Sequence, residues 1–276
     1  MRNFYIILLL ITVFYFSCTN QSKEEKQITQ GVIADSAMVV SAHPLASQVG
    51  VDILKAGGNA VDAAIAVNFA LAVVYPTAGN IGGGGFMVVR EKDGNSNTLD
   101  FREAAPAGSQ RNMYLDENEE VVDGLSTRGH LAVGVPGAVD GMIKAYEKYG
   151  SLPWQDLVQP AIDLAKNGFT LTEKEANGLN QNQENFEKYS TVKPEFILNE
   201  WVKGDTIQWL GLGAALERIR DKGRDGFYAG QTAKDIVEEM QRGSGLISFE
   251  DLQNYQSIWR DPVKIKYRGY DIVSMP

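Results

Sequence analysis

From Ala60 to Val74 only Asp62 and Asn68 interrupt an otherwise apolar run of fifteen residues. A helix with that composition has no hydrophilic face, so it belongs in the interior of whatever fold contains it. Its many alanines let neighbouring elements approach closely. The run is too short, and too often broken, for a bilayer span of about 20 residues. Asn59 suits the N-cap, and Asp62 favours the positive end of the helix dipole. Tyr75-Pro76 ends the helix.

The flanking segments supply material to surround it. Ala37–Ala42 is a short apolar stretch that predicts a buried strand. After His43-Pro44, the residues Leu45, Val49, Ile53 and Ala56 recur at helical spacing until Gly57-Gly58 stops them. Residues 77–85 form a glycine-rich loop ending in Gly82-Gly83-Gly84-Gly85. Phe86–Glu91 and Leu99–Glu103 predict two strands of a hairpin turning at Asp93-Gly94. Beyond residue 105 the pattern is mostly helical. Apolar stripes run through Val139, Ile143 and Tyr146, then from Trp154 to Ala165, Leu212 to Ile219 and Ala233 to Met240. Thr172–Lys188 is polar and helical. Val263–Tyr267 alternates as a half-buried strand does, and Asp271–Ser274 starts another.

The amino terminus is a separate matter. Arg2 precedes an apolar stretch from Phe4 to Phe16, which fits the hydrophobic region of a secretory signal. It ends at Ser17-Cys18, and Cys18 is the single cysteine of the chain. That placement resembles a bacterial lipoprotein cleavage site, with lipidation at Cys18. Tyr15 and Phe16 loosen the pattern, and a plain cleaved signal or an uncleaved anchor is the alternative. The organisation expected is a signal peptide over 1–17, a flexible tether over 18–30 and a folded domain over 31–276. The protein is then exported, to the periplasm or the cell surface, and membrane-anchored.

Several chemistries are excluded or weakened by the residues. A net charge of −9 without a Lys/Arg cluster argues against nucleic acid as a partner. The glycine loop leads from a helix into a strand and lacks a Lys-Ser/Thr, which is the wrong context for a nucleotide cradle. Close chain packing is its simplest role. His43 and His130 lack His, Cys or acidic neighbours at metal-ligand spacing, so no metal or cofactor is implied. No Gly-x-Ser-x-Gly elbow occurs. Arg102 follows Phe101 on the second strand. If Phe101 faces the core, Arg102 faces away from it, and Glu103 opposite Arg102. Its guanidinium could grip a carboxylate bidentately, or make a surface ion pair.

Six colinear blocks carry a resemblance. They are Ala37–Ser47, Gly50–Ala64, Gly79–Met87, Asp100–Pro106, Ala132–Gly137 and Tyr267–Tyr270. In order and spacing they resemble the large-subunit region of the γ-glutamyltranspeptidases, also called γ-glutamyltransferases or glutathione hydrolases. The resemblance implies an α/β N-terminal-nucleophile hydrolase fold, a four-layer αββα sandwich incomplete in this chain. It implies a precursor that cleaves itself to free a threonine whose own amine acts as base. The threonine takes the γ-glutamyl group from glutathione or a related amide. Arg102 matches the family arginine that grips the α-carboxylate of that group. Glu103 matches an adjacent acid that orients the site.

No Thr-Thr or Thr-His pair occurs in the chain. The catalytic threonine is therefore expected on a C-terminal small subunit outside it, with no catalytic residue within, and residues 1–276 alone are expected to be inactive and to fold poorly. Two alternatives stand beside the enzyme. One is a non-catalytic surface lipoprotein binding γ-glutamyl compounds through Arg102. The other is a relative acting on poly-γ-glutamate or a β-lactam side chain.

Overall fold

Two helices, α1 (Pro44–Lys55) and α2 (Ala60–Val74), form the first packed pair of the computed structural model, which describes residues 31, 33–198 and 200–276. The expected signal peptide, tether and Cys18 lie outside the described residues. α1 opens on Pro44, whose absent N–H is no loss in a first turn. The His43 ring accepts the Leu45 N–H at 3.2 Å. Gly57, at φ 95°, reverses the chain in a conformation that a Cβ would strain.

Asn59 then caps α2 as expected. Its Oδ1 accepts from the N–H groups of Val61 and Asp62 at 2.8 and 3.0 Å, and Asp62 Oδ2 accepts from Asn59 N–H at 2.9 Å. Asp62 is fully buried. Its Oδ1 also accepts the Ser151 N–H at 3.0 Å, and its Oδ2 hydrogen-bonds to the Ser151 hydroxyl. The polar residue that interrupts the apolar run is thus an internal tie between distant segments. These bonds offset the desolvation of its charge.

After α2 the chain forms an antiparallel hairpin, β1 (Phe86–Arg90) and β2 (Ser96–Asp100), in register from Phe86 opposite Asp100 to Arg90 opposite Ser96. Helices α3 (Ala138–Tyr149) and α4 (Trp154–Asn167) pack on α2. The Trp154 ring meets Phe69 edge-on at 5.7 Å, and its Nε1 donates to Ile219 O at 3.0 Å. A short pair, β3 (Phe169–Thr170) and β4 (Thr206–Ile207), encloses α5 (Glu173–Gln181) and α6 (Gln183–Tyr189). Then follow α7 (Leu210–Lys222), α8 (Asp225–Tyr228), α9 (Gly230–Arg242) and α10 (Phe249–Asn254). β5 (Ile258–Arg260) returns to pair with β2, giving the order β1-β2-β5. A last hairpin joins β6 (Val263–Tyr267) to β7 (Tyr270–Ser274). Residues 37–276 make one compact unit, and a continuous core runs through α2, α3, α4, α7 and α9.

Four expectations are corrected. Ala37–Ala42 is not a buried strand: it pairs with no strand among the described residues, and Val40 is 82% exposed. β6 is a strand, but all five residues are exposed instead of half of them. Alternation gives a strand a face fit for burial, and no described element covers this one. The second hairpin strand is Ser96–Asp100, so it ends before Phe101. The helix expected over 172–188 is broken in two at Asn182.

In the full-length protein, Asp62→Ala should lower unfolding free energy by about 2–4 kcal/mol, because it strands buried donors of Asn59 and Ser151. Lys234→Ala on the exposed face of α9 should change it by less than about 0.5 kcal/mol. Denaturant titration distinguishes the two.

Candidate functional site

Arg102 sits one residue past the end of the sheet's hydrogen-bonded register. Phe101 is the last residue tied to the first hairpin: its N–H donates to Gly85 O at 3.0 Å, and its C=O accepts from Gly85 N–H at 3.2 Å. The Phe101 side chain is buried. The Arg102 side chain projects outward and is 67% exposed. Phe101 inward and Arg102 outward is the arrangement that the alternation predicted. Glu103 departs from it. Its Oε2 accepts from Arg102 Nε at 3.1 Å, so the two lie on one side. The strand ends at Asp100, and strict alternation ends with it.

Two contacts define the guanidinium: Glu103 holds Nε, and the Phe86 ring centroid lies 6.0 Å from Cζ. Nη1 and Nη2 have no hydrogen-bond partner among the described residues. The end-on edge of the fork is therefore open, which is the edge that pairs with a carboxylate through two parallel N–H donors.

The glycine loop packs against this backbone, as the sequence implied. None of Gly82–Gly85 has a positive φ; what these positions require is space. A Cβ on Gly84 would lie 2.4 Å from Phe101 O and 2.8 Å from Glu103 N, and one on Gly85 would meet the Phe101 ring at 3.0 Å. Gly83 O accepts from Gly137 and Ala138 N–H at 2.8 and 2.9 Å, which ties the loop to the start of α3.

The histidines have structural partners. His43 Nε2 is 3.0 Å from Glu175 Oε1. His130 Nε2 is 2.7 Å from Glu239 Oε1, and Thr191 and Arg242 also bond Glu239 at 2.7 Å each. His130 and Glu239 are 109 residues apart, so no local spacing announces the pair. Among the described residues, no group of three His, Cys, Asp or Glu could hold a metal ion. Partial burial pushes the Glu239 carboxyl up, but hydrogen bonds from His130, Thr191 and Arg242 outweigh it and bring the group to about 2.

Residues 46–276 match the family model for γ-glutamyltranspeptidase. The chain belongs to the γ-glutamyltranspeptidase family. A glutathione hydrolase proenzyme from Pseudomonas sp. (strain A14) is 47% identical over 246 residues, which cover 88% of this chain and 43% of that protein. The glutathione hydrolase proenzyme of Escherichia coli (strain K12) is 45% identical over 259 residues, covering 91% and 44% respectively. The crystal structure of Helicobacter pylori γ-glutamyltranspeptidase superposes with a TM-score of 0.85 at 43% identity, covering 90% of this chain and 72% of that one. The mixed helix and strand fold expected of the family is thus the fold of this chain, with only part of the sandwich present. The chain spans less than half the length of these two curated relatives. Among the described residues, no helix is long and apolar enough to cross a membrane.

A folded-state carboxyl at about 2 contributes stability that is complete above its unfolded value of 4.5 and is lost as pH falls through 2. Glu239→Gln should therefore flatten the acid side of stability over that window. Thermal midpoints of the full-length protein against pH check this.

Proposed function

We propose that this chain is the large-subunit part of a γ-glutamyl transferase or hydrolase acting on glutathione and related γ-glutamyl amides, and that Arg102 grips the substrate's α-carboxylate. The observation carrying the proposal is the open Nη1/Nη2 edge of Arg102, braced through Nε by Glu103, in a chain of this family. The surface ion pair was the alternative for Arg102. Glu103 satisfies one of five N–H donors and leaves the bidentate edge free.

The chemistry follows from that division of labour. A threonine on a C-terminal small subunit, outside this chain, attacks the γ-carbonyl carbon through Oγ. Its proton passes to its own α-amine, the C–N bond breaks, and the leaving amine takes the proton. Water or an amino acid then attacks the γ-glutamyl ester and regenerates the threonine. Arg102 binds the far end of the glutamyl group and fixes the distance and direction from which the carbonyl meets the nucleophile. Residues 1–276 alone contain no nucleophile in this scheme and give no turnover.

The test uses the full-length protein and γ-glutamyl-p-nitroanilide, with residues 1–276 as the arm expected to be silent. Arg102→Ala should raise KM on the order of 10- to 100-fold, the loss of a charge-assisted bidentate contact, while self-cleavage proceeds. An unchanged KM removes Arg102 from the site. Binding of γ-glutamyl compounds without turnover in the full-length protein would favour the non-catalytic lipoprotein instead.

We also propose a lipid anchor on Cys18, supported by its place directly after the apolar stretch from Phe4 to Phe16. Cys18→Ser should move the protein from the membrane fraction to the soluble fraction. Retention of the variant in the membrane fraction would assign attachment to the apolar segment itself.

A further inference from the structure

The backbone of Arg102 is held on both sides of its Cα. Its N–H donates to Asp100 Oδ1 at 3.0 Å, and Asp100 Oδ2 accepts from Arg260 Nε at 2.9 Å across the β2–β5 pair. Its carbonyl accepts from the Tyr255 hydroxyl at 2.7 Å. Residues 102 and 255 lie 153 positions apart, so this contact is made by the tertiary fold. The Tyr255 side chain is buried, and burial, with the nearby Asp140 charge, pushes its phenol up to about 12. The hydroxyl is therefore a permanent donor near neutral pH.

The phenol reaches the carbonyl only because Gly137 has no side chain. A Cβ there would lie 2.1 Å from Tyr255 Oη and 2.1 Å from Phe101 O. Tyr255 itself is built in. Its ring stacks on Tyr228 with centroids 5.9 Å apart and planes 5° from parallel. Tyr228 Oη donates to Pro136 O at 2.8 Å. Arg224 Nη2 donates to the carbonyls of Gln253 and Tyr255 at 3.2 and 2.5 Å, and its Nε to Asp140 Oδ1 at 2.8 Å. Asp140 Oδ2 accepts from Ser257 N–H and Oγ at 2.7 and 2.6 Å.

We infer that Tyr255 is a positioning residue for the carboxylate site: it holds the 102–103 peptide while Asp100 holds the 101–102 peptide, and together they fix the Cα from which the Arg102 guanidinium projects. This rests on the reading of Arg102 as the carboxylate clamp. A long side chain amplifies a small backbone rotation at its Cα into a large displacement of Nη1 and Nη2, and bidentate pairing tolerates little of that. Loss of the Tyr255 hydroxyl should therefore register as weaker recognition of the α-carboxylate, with the chemistry at the far end spared.

The experiment measures kcat and KM of the mature full-length protein on γ-glutamyl-p-nitroanilide and on its α-methyl ester. The ratio of kcat/KM for acid over ester reads the carboxylate grip alone. Tyr255→Phe, which keeps the stacked ring, should raise KM for the acid about five- to tenfold, keep kcat within about twofold and lower the acid/ester ratio by the same factor. If Tyr255→Phe does not fold, Asp100→Ala, which frees the peptide on the other side of the Arg102 Cα, decides by the same ratio, with Asp100→Asn retaining more of it. Tyr228→Phe loses a bond of the same network but none to residue 102, and should lower the thermal midpoint with a smaller change in the ratio. A ratio kept by Tyr255→Phe and lost by Arg102→Ala overturns the inference and leaves the clamp standing. A ratio kept by Arg102→Ala overturns the clamp and this inference together. Equal losses in Tyr228→Phe and Tyr255→Phe assign the effect to general loosening and overturn the inference alone.

Discussion

The burial of Phe101 is the constraint around which the site region is organised. Its ring lies against α3 at Gly141, where a Cβ would come within 2.4 Å of it, and against Gly85 on the other side. Its backbone is bonded to Gly85 in both directions, and the same backbone is approached by Gly84 and Gly137. A large aromatic in a fully packed site is worth about 3–5 kcal/mol against truncation. With Phe101 fixed inward and chain packed closely on both sides, the next side chain has one way out. The outward projection of Arg102 is a consequence of that packing more than of its own contacts.

The second organising element is charged and internal. Asp140 is nearly buried and faces Arg224, with Ser257 supplying two further donors. Burying an ion pair carries a desolvation penalty that Coulomb attraction alone often fails to offset, so it is weak evidence for stability. Its geometric effect is clearer. Asp140 lies in the first turn of α3, while Ser257 directly precedes β5. Lys144, one turn further along α3, donates to Ser257 O at 2.5 Å. The network fixes where the 253–260 segment lies against α3, and so where Tyr255 and the β5 partner of β2 come to rest.

The helices were legible because their signals are local. Capping residues, apolar periodicity and terminal glycines placed α1, α2, α3, α4, α7 and α9 within a few residues of their observed bounds. The glycine loop was legible as a steric feature for the same reason. Strands were less so. Alternation in Val263–Tyr267 and apolarity in Ala37–Ala42 describe faces fit for burial, but burial needs a covering layer, and a local pattern says nothing about one. Glu103 was misplaced because the strand was drawn three residues too far. The contacts of Arg102 with Tyr255, and of Asp140 with Ser257, join residues 153 and 117 positions apart, beyond any spacing rule. Pattern alone left Arg102 between a clamp and a surface pair; the family resemblance is what implied the clamp.

The geometry of the guanidinium bears on that choice independently of the resemblance. An exposed ion pair between neighbouring residues contributes little, so the Arg102–Glu103 contact is a poor reason to keep an arginine there. Its consequence is directional. Glu103 on Nε restricts the roll of the guanidinium plane, and the Phe86 ring centroid lies 6.0 Å from its Cζ. What remains is a pair of parallel donors facing outward from a braced fork. A lysine at this position would offer a rotatable point charge with no preferred approach, whereas the fork admits a planar acid along one line. In the proposed clamp, preorganisation of this kind would lower the ordering cost of binding before any ligand arrives, with an acid beside the arginine that leaves its Nη1/Nη2 edge open.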